Sequence, residues 1–556
     1  MRTWTFLVFA TALAARAQTG EVTTREETPT FQSSVSLVRV PVVVRDKQRH
    51  AVGSFQKADF QLTDHGKPQY ISQFAIEGGA VAKPAAKPAQ PETPSNLAGE
   101  APKLVAPTRF VAYVFDDLHL SMGDLASVRV AALKHIEKGV PPQERIALLT
   151  LSGRVLLPFT DDIEKFRETL MKVTPVPPMS QAFPPARLYI AEQYVMHTRD
   201  DILQLQTAIT AGCLELPMGT TTQQIAAATL TQVGNEGLRQ ANEAFRVLNT
   251  ITGLLAAMPG DRIMVLVSPG VYVPDESEKR LNEVIDRATR AGVVVNSLDA
   301  RGVSTVDVSG EVPGCSKVRA NVSQELAKFD REEALFQGTV LETLASSTGG
   351  TRAAQNDFAA EFDRLANPPE YIYYLGFYPK DLKPDGKFHD IKVTLGAAKG
   401  LTVTARNGYW APSHEEDAAA TATREISEAV FSRDEMRDLP IDVSTEFYKT
   451  TEEDAKLRVV SHLDIGQIHL RKQDDRNRND VTLVCALFDR NGNFVKGSQT
   501  VLEIRLKDEN VERQRARGVT VDHEFDVKIG DYLIRVVARD AEGRQMAAVN
   551  GGVEIP

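Results

Sequence analysis

Phe110-Val111-Ala112-Tyr113-Val114-Phe115-Asp116-Asp117-Leu118-His119-Leu120-Ser121 is the stretch that decides the fold. An unbroken apolar run from Phe110 to Phe115 does not alternate as a half-exposed strand does. It fits a strand covered on both faces, the kind found in parallel sheets enclosed by helices. Two carboxylates follow at once, so charge begins where the strand ends. Leu125, Val128, Ala132, Leu133 and Ile136 then recur at three- and four-residue spacing, which predicts a helix with one apolar stripe.

Moving toward the C-terminus, the same pattern repeats. Ile146–Leu151, Ile263–Val267 and Val293–Leu298 read as buried strands, with helical patterns over Asp161–Lys172, Glu236–Ala257 and Glu278–Arg290 between them. Strands alternating with helices predict an α/β, doubly wound central domain, placed over residues 108–412. Ligand sites in such sheets lie where loops leave the carboxyl ends of the strands. That puts the expected functional edge at Asp116–Ser121 and Ser268–Tyr272.

The flanks read as β structure. Between residues 30 and 77, Val38, Val40, Val42 and Val44 share one side of a strand, and Phe60–Lys67 enters a hairpin, which predicts a small N-terminal β domain. Residues 78–107 turn to Ala, Pro and Lys, centred on Lys83-Pro84-Ala85-Ala86-Lys87-Pro88, a composition too poor in apolar surface to order itself and read as a linker. Residues 413–437 are charged and Ala-rich, a connecting helix. Residues 438–556 hold strand runs such as Leu457–Leu463 and Tyr532–Ala538, broken by turns such as Asp489-Arg490-Asn491-Gly492, and predict a β-sandwich.

Met1-Arg2 followed by the apolar run Phe6–Ala15 and the small-residue end Ala15-Arg16-Ala17 predicts a signal peptide over residues 1–17, and hence an exported protein, periplasmic or extracellular. That run is shorter than the roughly 20 residues of a spanning helix, and no later stretch is long and apolar enough to replace it. A net charge of −10 lacks the basic footprint of a nucleic-acid binder. With Cys213, Cys315 and Cys485 as the only cysteines, there is no thiolate metal motif. Export makes a Cys213–Cys315 disulfide available, since both cysteines fall in segments read as irregular. Cys485, inside Val481–Phe488, reads as a buried thiol.

Val114–Ser121, Leu298-Asp299-Ala300-Arg301-Gly302, Thr348-Gly349-Gly350, Tyr373–Pro379 with Asp385–His389, and Ala405–Tyr409, in this order, resemble the bacterial VWFA-related domain family over roughly residues 33–412. The resemblance implies a von Willebrand A-type fold and the adhesion site that commonly goes with it. There an Asp-x-Ser-x-Ser loop, a Thr and an Asp hold a hard divalent cation in oxygen ligands, and the cation takes a partner's carboxylate.

The chain departs from that pattern. Asp117-x-His119-x-Ser121 carries an imidazole where a serine hydroxyl is expected, and a start at Asp116 meets Leu118 and Leu120 instead. Ser268-Pro269-Gly270 carries no carboxylate, and the second-loop Thr is not located because residues 174–235 are an unusual insertion. Asp116, Asp117, His119 and Ser121 are the candidate ligands, with no cofactor expected beyond a weakly bound divalent cation. The alternative for the two carboxylates is to solvate the strand end or help cap the helix near Asp124. The aromatic run Tyr371, Tyr373, Tyr374, Phe377 and Tyr378 reads either as a binding platform or as core, with core packing the expected outcome.

Three functions follow. The first is an exported binding or adhesion protein with a degenerate site, no catalysis and an unidentified protein partner. The second is a metal-dependent hydrolase using Asp116, Asp117, His119 and His389. The third is a passive envelope scaffold. No G-x-S-x-G, H-E-x-x-H or P-loop motif supports an enzyme. The domain map predicts that limited proteolysis of the folded protein cuts first between Gly78 and Pro107; early cutting inside Phe110–Phe115, identified by mass spectrometry of the fragments, would contradict it.

Overall fold

A computed structural model describes residues 21–27, 38–47, 50–78, 107–176, 186–214, 221–271, 275–303, 312, 315, 317–366, 371–377, 379, 386–396, 400–411, 418–432, 435–466, 468–543 and 545–556. The expected signal peptide and nearly all of the expected linker lie outside these residues. The chain forms two compact units: residues 32–424 with 490–493, and residues 1–31 with 425–489 and 494–556.

The first unit contains a six-stranded sheet. Its strands are β1 (Arg109–Phe115), β2 (Glu144–Thr150), β3 (Leu156–Thr160), β4 (Asp261–Ser268), β5 (Val293–Asp299) and β6 (Arg352–Ala353). Their order across the sheet is β6-β5-β4-β1-β2-β3. All pairings are parallel except that of β3, which runs antiparallel to β2 at the edge. The helices are α1 (Met122–Ile136), α2 (Ile163–Lys172), α3 (Leu188–His197), α4 (Asp200–Cys213), α5 (Thr222–Ala256), α6 (Asp275–Arg290), α7 (Ala320–Thr348) and α8 (Phe358–Ala366).

The unbroken apolarity of β1 has a direct structural cause. Phe110, Ala112 and Val114 face a core shared with Phe245, Leu248 and Ile251 of α5, Ile285 of α6 and Leu341 of α7. Val111, Tyr113 and Phe115 face the opposite core, with Leu125 and Val128 of α1, Phe166 of α2 and Phe362 of α8. Each fully buried Leu, Val or Phe contributes about 1.5–3 kcal/mol, so both faces must be covered.

The described residues of the insertion are largely helical. α3 and α4 pack on α5 and α7 through Ile190, Ile202, Ile209, Leu230, Val322 and Leu326. α5 extends well N-terminal of its predicted start at Glu236, and Gly234 lets α3 approach closely, because a Cβ there would stand 2.5 Å from the Ala191 carbonyl oxygen. Cys213 is the last residue of α4, not part of an irregular segment, and is bonded to Cys315.

The domain boundaries need correction. The small β domain expected over residues 30–77 is not closed by its own strands, and the α/β domain does not run to residue 412. Val38–Arg45 lies between Thr402–Ala405 and Tyr371–Phe377, and Phe60–Asp64 pairs with Phe388–Leu395. Two four-stranded sheets thus form from both ends of the unit and share one core of Val38, Val40, Val42, Val44, Phe60, Leu62, Tyr373, Leu375, Phe377 and Ile391. The reason is burial: a short valine strand next to a single hairpin has too little apolar surface of its own, and residues 371–410 supply the missing layer. Tyr373 and Phe377 are core, whereas Tyr371 is exposed.

In the second unit, Val22–Glu27 pairs antiparallel with Phe494–Leu506, a strand no sequence signal assigned to this sheet. Arg476–Asp489, Gly530–Asp540, Met546–Ile555 and Met436–Arg437 continue that sheet, and Ile441–Lys449, Asp454–Leu463 and Val519–Lys528 form another. Two cores lie between the sheets, and buried Cys485 belongs to one of them. The connector forms the helix Ala418–Phe431, which buries Ile426, Ala429 and Val430 against Val484, Phe488 and Val537.

The hydroxyl of Tyr373 donates to the Val52 carbonyl at 2.6 Å and accepts from Phe55 N–H at 3.1 Å, tying the late strand to the early segment. Tyr373→Phe should lower stability by about 1–2 kcal/mol, measured as a shift of the denaturant midpoint; an unchanged midpoint would show that the two segments do not depend on this tie.

Candidate functional site

Parallel pairing brings the carboxyl ends of β1, β2 and β4 side by side, with Phe115 opposite Thr150 and Val267. The strand order reverses between β1 and β4, the position at which ligand crevices form in such sheets. Asp116 and Asp117 leave β1 at this point, and Ser268 ends β4. Both carboxylates are buried.

Asp116 is fully engaged by nearby donors. Its carboxylate accepts from Ser268 Oγ at 2.6 Å, from His119 Nδ1 at 2.8 Å and from the His119 backbone N–H at 3.1 Å. Ser268 Oγ in turn accepts from Gly270 N–H at 2.9 Å. Asp117 turns the other way and accepts from Ser152 N–H at 2.8 Å and Ser152 Oγ at 2.5 Å. Its pKa is raised, chiefly by burial and further by the Asp116 charge, against the Ser152 hydrogen bonds that lower it. Ser121 is the N-cap of α1: its Oγ accepts from Asp124 N–H at 3.1 Å and donates to the Asp124 carboxylate at 2.7 Å. A cap of this kind contributes about 1 kcal/mol.

The four expected ligands therefore part company. Asp116 and His119 form a pair, Asp117 is committed to the loop after β2, and Ser121 to the helix. Among the described residues, they do not belong to a group whose donor atoms converge as metal ligands would. The residues present do not fit a magnesium ion: the hard oxygens of Asp116 already serve hydroxyl, amide and imidazole donors, and imidazole is a poor ligand for that cation.

His119 carries the charge at this edge. Burial works against its protonation, but the charge and hydrogen bond of Asp116, with Asp117 and Glu333, outweigh it and hold the imidazole pKa above its ordinary value. Glu333 lies on α7, where burial and Asp330 push its carboxyl up to about 7 against the pull of Arg187, Arg301 and His119. Glu192 on α3 is pushed to about 9 by burial and by Glu333. Its Oε2 has no hydrogen-bond partner among the described residues.

Asp299 at the end of β5 is shared by two arginines, with Arg301 Nη2 and Arg352 Nη2 each 2.8 Å from Oδ2. Arg301 also donates to Gln337 Oε1 at 2.8 Å, which ties the loop to α7. Sequence reading missed Ser152, Glu192 and Glu333. Ser152 follows a strand end, a signal that could have found it. The two glutamates lie on helices whose docking no local pattern reports.

No protein family matches the chain, and no curated protein does. Among solved structures, an aerotolerance-related membrane protein from Bacteroides fragilis is similar at 11% identity and a TM-score of 0.21, covering 46% of this chain and 96% of that one. BatB from Bacteroides thetaiotaomicron is similar at 12% identity and 0.19, covering 47% and 98%. Three N-terminal domains of the type V pili tip protein Mfa5 from Porphyromonas gingivalis are similar at 9% identity and 0.20, covering 87% and 77%. These are weak relationships to envelope and pilus proteins, and at such TM-scores they carry no argument.

A histidine pKa raised on folding means that the imidazolium stabilises the folded protein. That stabilisation is complete below the ordinary value of 6.5 and is lost as pH rises through the raised value. Glu192 and Glu333 also weaken the fold with rising pH; both remain in a His119 variant, where Glu333 loses the His119 charge, the smallest of the influences on it. His119→Gln should therefore destabilise the protein by about 1–3 kcal/mol near pH 6 and by less near pH 9. Denaturant midpoints of the two proteins across that range check this, and a deficit that is constant or grows with pH contradicts the ion pair.

Proposed function

We propose that the chain is an exported protein-binding, adhesion-type protein, without catalytic activity, whose central domain is von Willebrand A-like and whose adhesion site is degenerate. The observation that carries this reading is the Asp116–His119 pair at the carboxyl edge of the sheet, 2.8 Å apart and joined by Ser268. In an intact adhesion site, a dication gathers the carboxylates and offers one open position to a partner's carboxylate. Here the imidazolium of His119 stands beside the carboxylate, and a side-chain cation offers no open coordination position. Partner recognition then falls to the loop surfaces around Asp116–Ser121, Ser152–Arg154 and Asp299–Val303, through direct polar contacts.

Two features support the wider reading. The sheet order with a single antiparallel edge strand suits a domain whose loops present a binding face. The Cys213–Cys315 bond suits an exported protein, because disulfides persist in oxidising compartments.

A complete site would gain about 2.7 kcal/mol from a cation at a hundredfold excess over its Kd. Protein stripped of metal and dialysed should instead melt at the same temperature with and without millimolar magnesium, and should capture the same partner from an envelope extract in both conditions. Magnesium-dependent capture together with a magnesium-dependent rise in melting temperature, both abolished by Asp116→Ala, would overturn the proposal.

A further inference from the structure

The two-sheet sandwich brings a second set of chemistry-bearing residues together, far from the edge just described in sequence. Phe60–Asp64 and Lys67–Gln69 are joined by the two-residue turn His65-Gly66, in which both residues have positive φ, +46° and +75°. Such a turn matches the strand twist of a hairpin and favours Asn-Gly; histidine is one of the few other side chains enriched there. The turn aims His65 at the neighbouring strand, where its backbone N–H donates to the Asp390 carbonyl at 2.9 Å.

That neighbour, Phe388–Leu395, carries His389, which lies opposite Tyr409 of the next strand. Asp64 is buried and is held on two sides: Tyr409 Oη donates to Oδ2 at 2.7 Å, and His389 Nδ1 stands 3.2 Å from Oδ1. The rings of His65 and His389 lie 4.8 Å apart between centroids. One donor atom from each of Asp64, His65 and His389 falls within 4.8 Å of the others. The carboxylate forms the floor, His389 the half-buried wall and His65 the solvent side.

The geometry points to a zinc site made by Asp64, His65 and His389, with water as the fourth ligand. Two imidazoles and one carboxylate suit zinc and are poor ligands for magnesium or calcium. A tetrahedral zinc at 2.0–2.1 Å from its ligands needs donors about 3.3 Å apart, so the present spacing closes by a small rotation of the exposed His65 ring. Tyr409 Oη, 2.7 Å from Asp64 Oδ2 and 3.3 Å from His389 Nδ1, orients both ligands, as outer-shell partners of metal ligands do. Bound zinc would pin the hairpin of residues 60–69 to a strand that arrives some 325 residues later, the separation of Asp64 and His389. The thiols do not compete, since Cys213 and Cys315 are bonded and Cys485 is buried.

Full-length protein stripped by a chelator and dialysed should bind one zinc per chain in titration calorimetry, and cobalt in its place should give visible ligand-field absorption. His65→Asn accepts the positive φ of the turn, so it should leave the fold intact, as checked by circular dichroism. It should weaken zinc at least tenfold and remove the cobalt band. His389→Gln should do the same. Calcium and magnesium should not compete. Failure of the wild type to bind zinc below millimolar concentration overturns the proposal, and so does affinity unchanged in both variants, which would place the metal on other surface histidines.

Discussion

Strand Arg109–Phe115 is hydrogen-bonded on both edges, to Glu144–Thr150 on one side and Asp261–Ser268 on the other, and covered on both faces. Every other arrangement in the central domain depends on it. From Phe110 to Phe115 it has no solvent on either face, so its side chains there are apolar apart from the Tyr113 hydroxyl, which meets His135 Nε2 at 2.8 Å, and carboxylates appear only where it ends. Asp116 and Asp117 stand there because the strand stops being enclosed. Parallel pairing sets the ends of the neighbouring strands beside them, so Ser152 and Ser268 arrive as hydrogen-bond donors without any sequence proximity.

Burial then determines what those carboxylates can do. An ionised carboxylate with no exposure is costly unless it is paired and hydrogen-bonded. Asp116 meets that demand with His119 and Ser268, and Asp117 with Ser152. The same donors that make the charges tolerable occupy the oxygens a cation would use. Asp299 shows the alternative solution, with two arginines in place of an imidazole. Glu192, whose Oε2 has no hydrogen-bond partner among the described residues, shows the opposite case: burial and Glu333 push its carboxyl to about 9. Helix α7, which carries Glu333, connects this acidic interior to the edge.

The sandwich of residues 38–78 and 371–410 encloses the α/β domain in sequence while forming a separate core. Early and late strands alternate in the sheet of Val38–Arg45 and meet at Phe60–Asp64 and Phe388–Leu395 in the other, so neither half can bury its valines alone. This arrangement places Asp64, His65, His389 and Tyr409 in one cluster. Residue types suited to metal chemistry come together there as a by-product of strand register, since Asp64 lies opposite Ile391, two residues from His389.

Periodicity along the chain determined the elements that are longest and most uniformly buried. The apolar runs near residues 110, 146, 263 and 293, the stripe Leu125–Ile136 and the valine alternation of Val38–Val44 were all legible, because burial on a known face leaves a repeating pattern. The edge positions Asp116–Ser121 and Ser268 were legible for the same reason, as the points where apolar runs stop. Tertiary structure alone decided the partners. Which strands complete the N-terminal sandwich, why Val22–Glu27 joins the C-terminal sheet, how α3 and α4 pack on α5, and that His119 rather than Ser121 faces Asp116 all depend on contacts between residues far apart in the chain or on the turn taken by a loop. Neighbouring residues constrain a segment's own conformation; they carry no record of the surface it will meet.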